Sequence, residues 1–88
     1  MNFGVSTWLW TSPFTTESIG LFPRIRDMGF SHVEIPVENV DQIDPKIVAV
    51  ALKDHGLLPV VCGAWGPSRD LTSDDPKVRQ VCIDYIYR

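Results

Sequence analysis

The sequence predicts an α/β fold in which three consecutive strand–helix units build a parallel sheet. Three observations predict it. Stretches with a period of two alternate three times with stretches of helical period. Asp44-Pro45 and Asp75-Pro76 each place a capping aspartate before a proline suited to the first helical position. Gly29 and Gly56 close helical patterns and are each followed directly by a strand-like run.

Taken in order, residues 3–9 alternate, with Phe3, Val5, Thr7 and Leu9 on one face and Gly4, Ser6 and Trp8 on the other. β-Branched and aromatic residues suit such a strand. Residues 11–16 are rich in turn formers and read as a loop. Leu21, Phe22, Ile25 and Met28 then share one helical stripe. Pro23 is awkward inside a helix, so the regular helix is expected to begin near it after a looser turn from Glu17. Ser31 to Pro36 is a second strand, with Val33 and Ile35 opposite His32 and Glu34. The second helix follows Asp44, with Ile47, Val48, Ala51 and Leu52 as its stripe. Leu57 to Val61 reads as a buried third strand, and Val78, Val81, Cys82 and Tyr85 mark the apolar side of a third helix.

Three parallel strands with helices on one side leave two open edges and an uncovered face. The last helical pattern also carries no C-terminal cap signal. A closed (β/α)8 barrel takes about 250 residues. Residues 1–88 are therefore expected to form the N-terminal third of a TIM barrel, a partial domain and thus a fragment.

Composition narrows the function. With 44% hydrophobic and 22% charged residues the chain is globular in type, not disordered. A net charge of -3, with Arg24, Arg26, Lys46, Lys53, Lys77 and Arg79 scattered over three helical patterns, gives no nucleic-acid footprint. No apolar run approaches the roughly 20 residues of a membrane span. The first residues lack the pattern of a secretory signal. Cys62 and Cys82 stand alone, which reads as two buried reduced thiols in a cytoplasmic protein.

The stretch from Cys62 to Arg79 is the feature around which the rest is arranged. It leaves the third strand, passes through Gly63, Gly66 and Pro67, and ends at the Asp75-Pro76 cap. In parallel α/β folds such strand-to-helix loops carry the working site. Trp8, Trp10 and Phe14 fall at that end after the first strand, Glu34, Pro36 and Glu38 after the second, and Ala64, Trp65 and Gly66 after the third. Aromatic faces beside polar groups suit a sugar, because they cover C–H patches while neighbours read hydroxyls.

Glu34 lies inside a strand, so it needs a hydrogen-bond or ion-pair partner. Glu38 lies beyond the strand and is expected to be solvated. His32 reads as a structural histidine, and His55 as a favourable neighbour of a helix C-terminus. Asp70, Asp74 and Asp75 fit turn and capping chemistry better than a cation site. The Gly-x-x-Gly of residues 63–66 lacks the ending of a phosphate loop.

On these residues the chain resembles the N-terminal part of the sugar phosphate isomerase/epimerase superfamily with xylose isomerase-like barrels. Within it, the likeness is to ketose 3-epimerases of the tagatose/psicose type. It rests on Gly4, Trp10, Met28-Gly29-Phe30 running into Val33-Glu34-Ile35, and Gly66-Pro67-Ser68 with Leu71, Ser73, Asp74 and Arg79. The resemblance implies reversible inversion at C3 of a ketose through an enediolate. It implies a divalent metal, usually Mn2+ with Mg2+ or Co2+ as alternatives, and two glutamates that move the proton. It places those metal ligands and glutamates on later strands, so no catalytic residue and no metal ligand is expected within residues 1–88.

The substrate-binding positions the resemblance implies are Ser6, Phe14 and Ala64, with Glu34 in a supporting role. Ser6 stands where such epimerases often carry an aromatic residue, and Phe14 where they usually carry tryptophan. Trp8, Trp10 and Gly66 complete the expected mouth. A small-molecule sugar substrate and a homo-oligomeric dimer or tetramer are implied as well. Two other readings stay open. One is another reaction on the same barrel: inosose dehydration, hydroxypyruvate isomerisation or phosphodiester cleavage. The other is an inactive chain that survives only by oligomerising through its open edges.

Overall fold

Three short extended runs lie side by side in the computed structural model, which describes residues 1–88. They are β1 (Gly4–Ser6), β2 (His32–Val37) and β3 (Leu58–Gly63). The sheet has the order β1-β2-β3, and both pairings are parallel. Gly4 pairs with His32, which pairs in turn with Leu58, and Ser6 pairs with Glu34, which pairs with Val60. The connections are the helices α1 (Phe22–Asp27) and α2 (Pro45–Asp54), and α3 (Pro76–Tyr87) follows β3. This is the expected alternation, compatible with part of a TIM barrel.

Local chemistry sets the helix ends where the sequence placed them. The Asp44 carboxylate accepts from the backbone N–H of Lys46 at 3.0 Å and of Ile47 at 3.3 Å. Asp75 accepts from Lys77 N–H at 2.8 Å. These bonds satisfy amides that have no partner inside the helix. Gly29 and Gly56 adopt φ values of 94° and 62°, the left-handed region in which a helix is commonly ended by glycine. A 3-10 run over Thr16–Leu21 leads into α1, with Pro23 in its first turn. Proline is harmless there because that N–H has no intrahelical acceptor.

The core lies on one side of the sheet. Val33 and Ile35 of β2 pack with Phe22 and Ile25 of α1, Val48 and Leu52 of α2, and Phe14 and Leu57 from the connections. The opposite face, carrying Gly4, Ser6, His32, Glu34, Leu58 and Val60, has no layer over it. Only 11 of 88 residues are buried, so the core rests on these few side chains.

The structure corrects several expectations. β1 is shorter than residues 3–9: Ser6 Oγ accepts from Trp8 N–H at 3.3 Å, and Thr7–Leu9 coil into a 3-10 turn. Local side-chain capping outcompetes the strand there. β3 is a strand but not a buried one, with Leu58 60% and Val61 66% exposed. It is an edge strand, and no element covers either of its faces fully. Ile47, Met28 and Val81 of the expected stripes also stay exposed, and Cys62 is only half-buried.

Cys82 of α3 is fully buried, and Tyr85 of the same helix reaches the Val37 carbonyl at the end of β2, leaving a cleft of about 330 Å3 lined by Val37, Val40 and Val61. The radius of gyration is 14.6 Å. A compact domain of this length would give about 12 Å. The excess belongs to this elongated arrangement, 45 × 26 × 19 Å in extent. No helix is long and apolar enough to cross a membrane.

Candidate functional site at the carboxyl ends of the strands

All three strands are parallel, so the loops that follow them emerge at the same end. The loop after β1 brings Trp8 and Ser12, β2 ends in Val37 followed by Glu38, and the loop after β3 brings Ala64, Trp65 and Arg69. These converge on the end of β2. Glu38 Oε2 accepts from the Trp8 indole N–H at 3.1 Å, and Ser12 Oγ lies 2.9 and 2.8 Å from the two carboxylate oxygens. Glu38 is therefore bound to the first loop rather than simply solvated.

The third loop is fastened by one arginine and one tyrosine. Arg69 donates from Nη2 to the Glu38 carbonyl and from Nη1 to the Ala64 carbonyl, both at 3.0 Å. Its guanidinium carbon lies 3.7 Å from the centre of the Tyr85 ring, a cation–π arrangement. The Tyr85 hydroxyl accepts from Ala64 N–H at 3.1 Å and donates to the Val37 carbonyl. Trp65 meets the Tyr85 ring edge-on, with centres 5.7 Å apart. Gly66 and Arg69 exchange backbone hydrogen bonds of 3.4 and 2.9 Å, which makes residues 66–69 a tight turn with Pro67 second.

Gly63 matters for a different reason. A β-carbon there would lie 2.5 Å from Cζ2 of Trp65. The indole folds back over the glycine, and the absent side chain is what lets it do so.

Of the residues read from the sequence, Ser6 and Glu34 share the uncovered face on adjacent strands and line a shallow concavity of about 180 Å3 with Gly4, His32 and Val60. Trp8 and Trp10 stand exposed beside the mouth, Trp8 at 47%. Ala64 and Gly66 are half-buried in the third loop. Phe14 is placed elsewhere: it is fully buried, its ring stacked 6.2 Å from that of Phe22 in the core. A large apolar ring one loop-length from an open core is drawn under it rather than left at the surface.

Glu34 has Cys62 as a neighbour on the next strand. Burial, then the negative charge of Glu34 and a hydrogen bond to it, push the Cys62 thiol up from its ordinary pKa. That keeps it protonated and unreactive. Asp70 accepts from the N–H and the hydroxyl of Thr72 at 2.8 and 2.7 Å, and these bonds hold its carboxyl below the usual range. It is turn chemistry, as its neighbours in sequence imply. No three His, Cys, Asp or Glu side chains gather in a way that could hold a metal ion.

Sequence reasoning did not single out Arg69 or Tyr85, and it left Glu38 in solvent. Only the Gly-Pro-Ser turn before Arg69 signals that the guanidinium is aimed back at the strand ends.

Two curated proteins are similar to this chain. The ketose 3-epimerase of Arthrobacter globiformis is 30% identical over 79 residues, which are 89% of this chain and 27% of that protein. The probable ketose 3-epimerase of Synechocystis sp. is 27% identical over 88 residues, all of this chain and 31% of that protein. The chain thus spans less than a third of the length of either relative. No protein-family model matches it.

Proposed function

We propose that residues 1–88 form the sugar-facing mouth of a ketose epimerase or isomerase built on a parallel (β/α)8 barrel. The observation that carries this is the meeting of Trp8, Glu38 and the third loop, which carries Trp65, at the carboxyl ends of three parallel strands. Aromatic faces set among carboxylates suit a polyhydroxylated ligand. Similarity to two ketose 3-epimerases supports the same substrate class.

In this reading the chain binds and orients, and it does not move the proton. Trp8 and Trp10 offer faces to the sugar carbons. Ser6 and Glu34 offer hydrogen bonds from the uncovered sheet face. Arg69 and Tyr85 hold the third loop at its distance from the second strand. The manganese or related cation implied by resemblance finds no donor set among these residues, so no step is assigned through it.

The test is a chimera. Residues 1–88 replace the matching segment of the Arthrobacter globiformis ketose 3-epimerase, and C3 epimers of D-fructose and D-tagatose are separated chromatographically. Retained interconversion is the expected result. A chimera that keeps its circular dichroism and its oligomeric size yet converts neither ketose would overturn the proposal.

A further inference from the structure

We infer that Glu38 is a positioning residue: its carboxylate fixes the Trp8 indole at the mouth so that the ring face is presented to the ketose. The inference rests on the ketose reading above, which placed Glu38 at the mouth, and assigns that residue its task there. Trp8 lies in a three-residue 3-10 turn, Thr7–Leu9, and its side chain is about half exposed. A half-exposed indole on so short a turn has several rotamers open to it, and ordering it on binding would weaken the complex.

Glu38 removes that freedom from a distance of 30 residues in sequence, accepting the indole N–H at 3.1 Å. The Ser12 hydroxyl donates its one proton to the same carboxylate, lying 2.9 and 2.8 Å from its two oxygens, so the acceptor is itself held in place. The backbone beneath it is pinned as well, since Arg69 binds the Glu38 carbonyl and Tyr85 the carbonyl before it. An anchored carboxylate on an anchored strand end leaves the indole N–H one direction to point. The ring is then pre-set, and sugar binding need not order it.

Two variants of the full chain, Glu38→Ala and Glu38→Gln, compared with wild type separate this from a plain structural role. Each is labelled with 15N, and the indole N–H resonances of Trp8, Trp10 and Trp65 are followed while D-fructose and D-tagatose are added. In wild type the Trp8 indole proton resonates downfield, as a bond to a carboxylate requires. Glu38→Ala moves that resonance upfield and leaves those of Trp10 and Trp65 in place. Half-maximal ketose shift at Trp8 then needs about tenfold more sugar, the equivalent of one lost charge-assisted bond. Glu38→Gln keeps an acceptor oxygen and recovers most of both effects.

If Trp8 is unmoved by Glu38→Ala, or if the ketoses shift the Trp8 indole with the same midpoint in all three proteins, the positioning role is wrong and the ketose reading is untouched. If all three indoles move together, Glu38 serves general folding and the inference fails. If Trp8 depends on Glu38 while neither ketose perturbs any indole of the wild type, the ketose reading fails and with it the purpose assigned to the bond.

Discussion

Replacing Phe14 with alanine separates two roles for one residue. At the mouth the ring would touch sugar, and its loss would weaken binding at little cost in stability. In the structure it is wholly buried against Phe22. Truncation of a buried phenylalanine costs about 3–5 kcal/mol, from lost transfer energy and the cavity left behind. Loss of the stacked pair falls within that figure. A domain of this length has a total stability of about 4–13 kcal/mol. With 11 residues buried, this chain belongs at the low end. Phe14→Ala is therefore expected to be largely unfolded at 25 °C in about the same buffer that keeps wild type folded. Phe14→Leu retains most of the volume and should cost about 1–1.5 kcal/mol. At about 4–8 °C per kcal/mol its midpoint falls by roughly 4–12 °C. Circular dichroism during heating and urea titration reads both variants. If Phe14→Ala stays within about 0.5 kcal/mol of wild type, the residue is not core and the reasoning is refuted.

Other outcomes follow from the same contacts. Tyr85→Phe keeps the ring under Arg69 and Trp65 but removes the hydroxyl between Ala64 and Val37. Two part-buried hydrogen bonds amount to about 2 kcal/mol, and hydrogen exchange at the Ala64 amide should accelerate. Unchanged exchange there would remove Tyr85 as the fastening of the third loop. Gly63→Ala should drive the Trp65 indole off the strand, seen as a changed tryptophan emission maximum. An unaltered spectrum would show that the loop yields instead. The Cys62 thiol, raised by burial and Glu34, should alkylate more slowly than a free cysteine at mildly alkaline pH, and Glu34→Gln should speed it. The unfolded chain releases this proton first, so the thiol's contribution to stability is complete below the ordinary thiol pKa and is lost as pH rises through the folded value. Equal alkylation rates in both proteins would dissociate Glu34 from the thiol.

What could be read from the residues was whatever a few neighbours decide. Asp44 and Asp75 cap amides two residues away, and Gly29 and Gly56 end helices by their own backbone conformation. Three strands and three helices in alternation were legible for this reason. Even at short range the reading failed where two local options compete: Ser6 turns the chain at Trp8, although the alternation continues to Leu9.

Burial and partnership were decided at longer range. Leu57 to Val61 has the composition of a buried strand, yet most of it is exposed, because burial depends on what lies alongside and not on the run itself. Phe14 went to the core because the hydrophobic effect acts on whichever apolar surface the fold leaves open above it. Glu38 gained Trp8 from 30 residues away, Arg69 from 31 and, through the neighbouring carbonyl, Tyr85 from 48. Such bonds form between groups whose separation in sequence carries no periodic signal. They exist only because parallel pairing brings three loops to one end of the sheet.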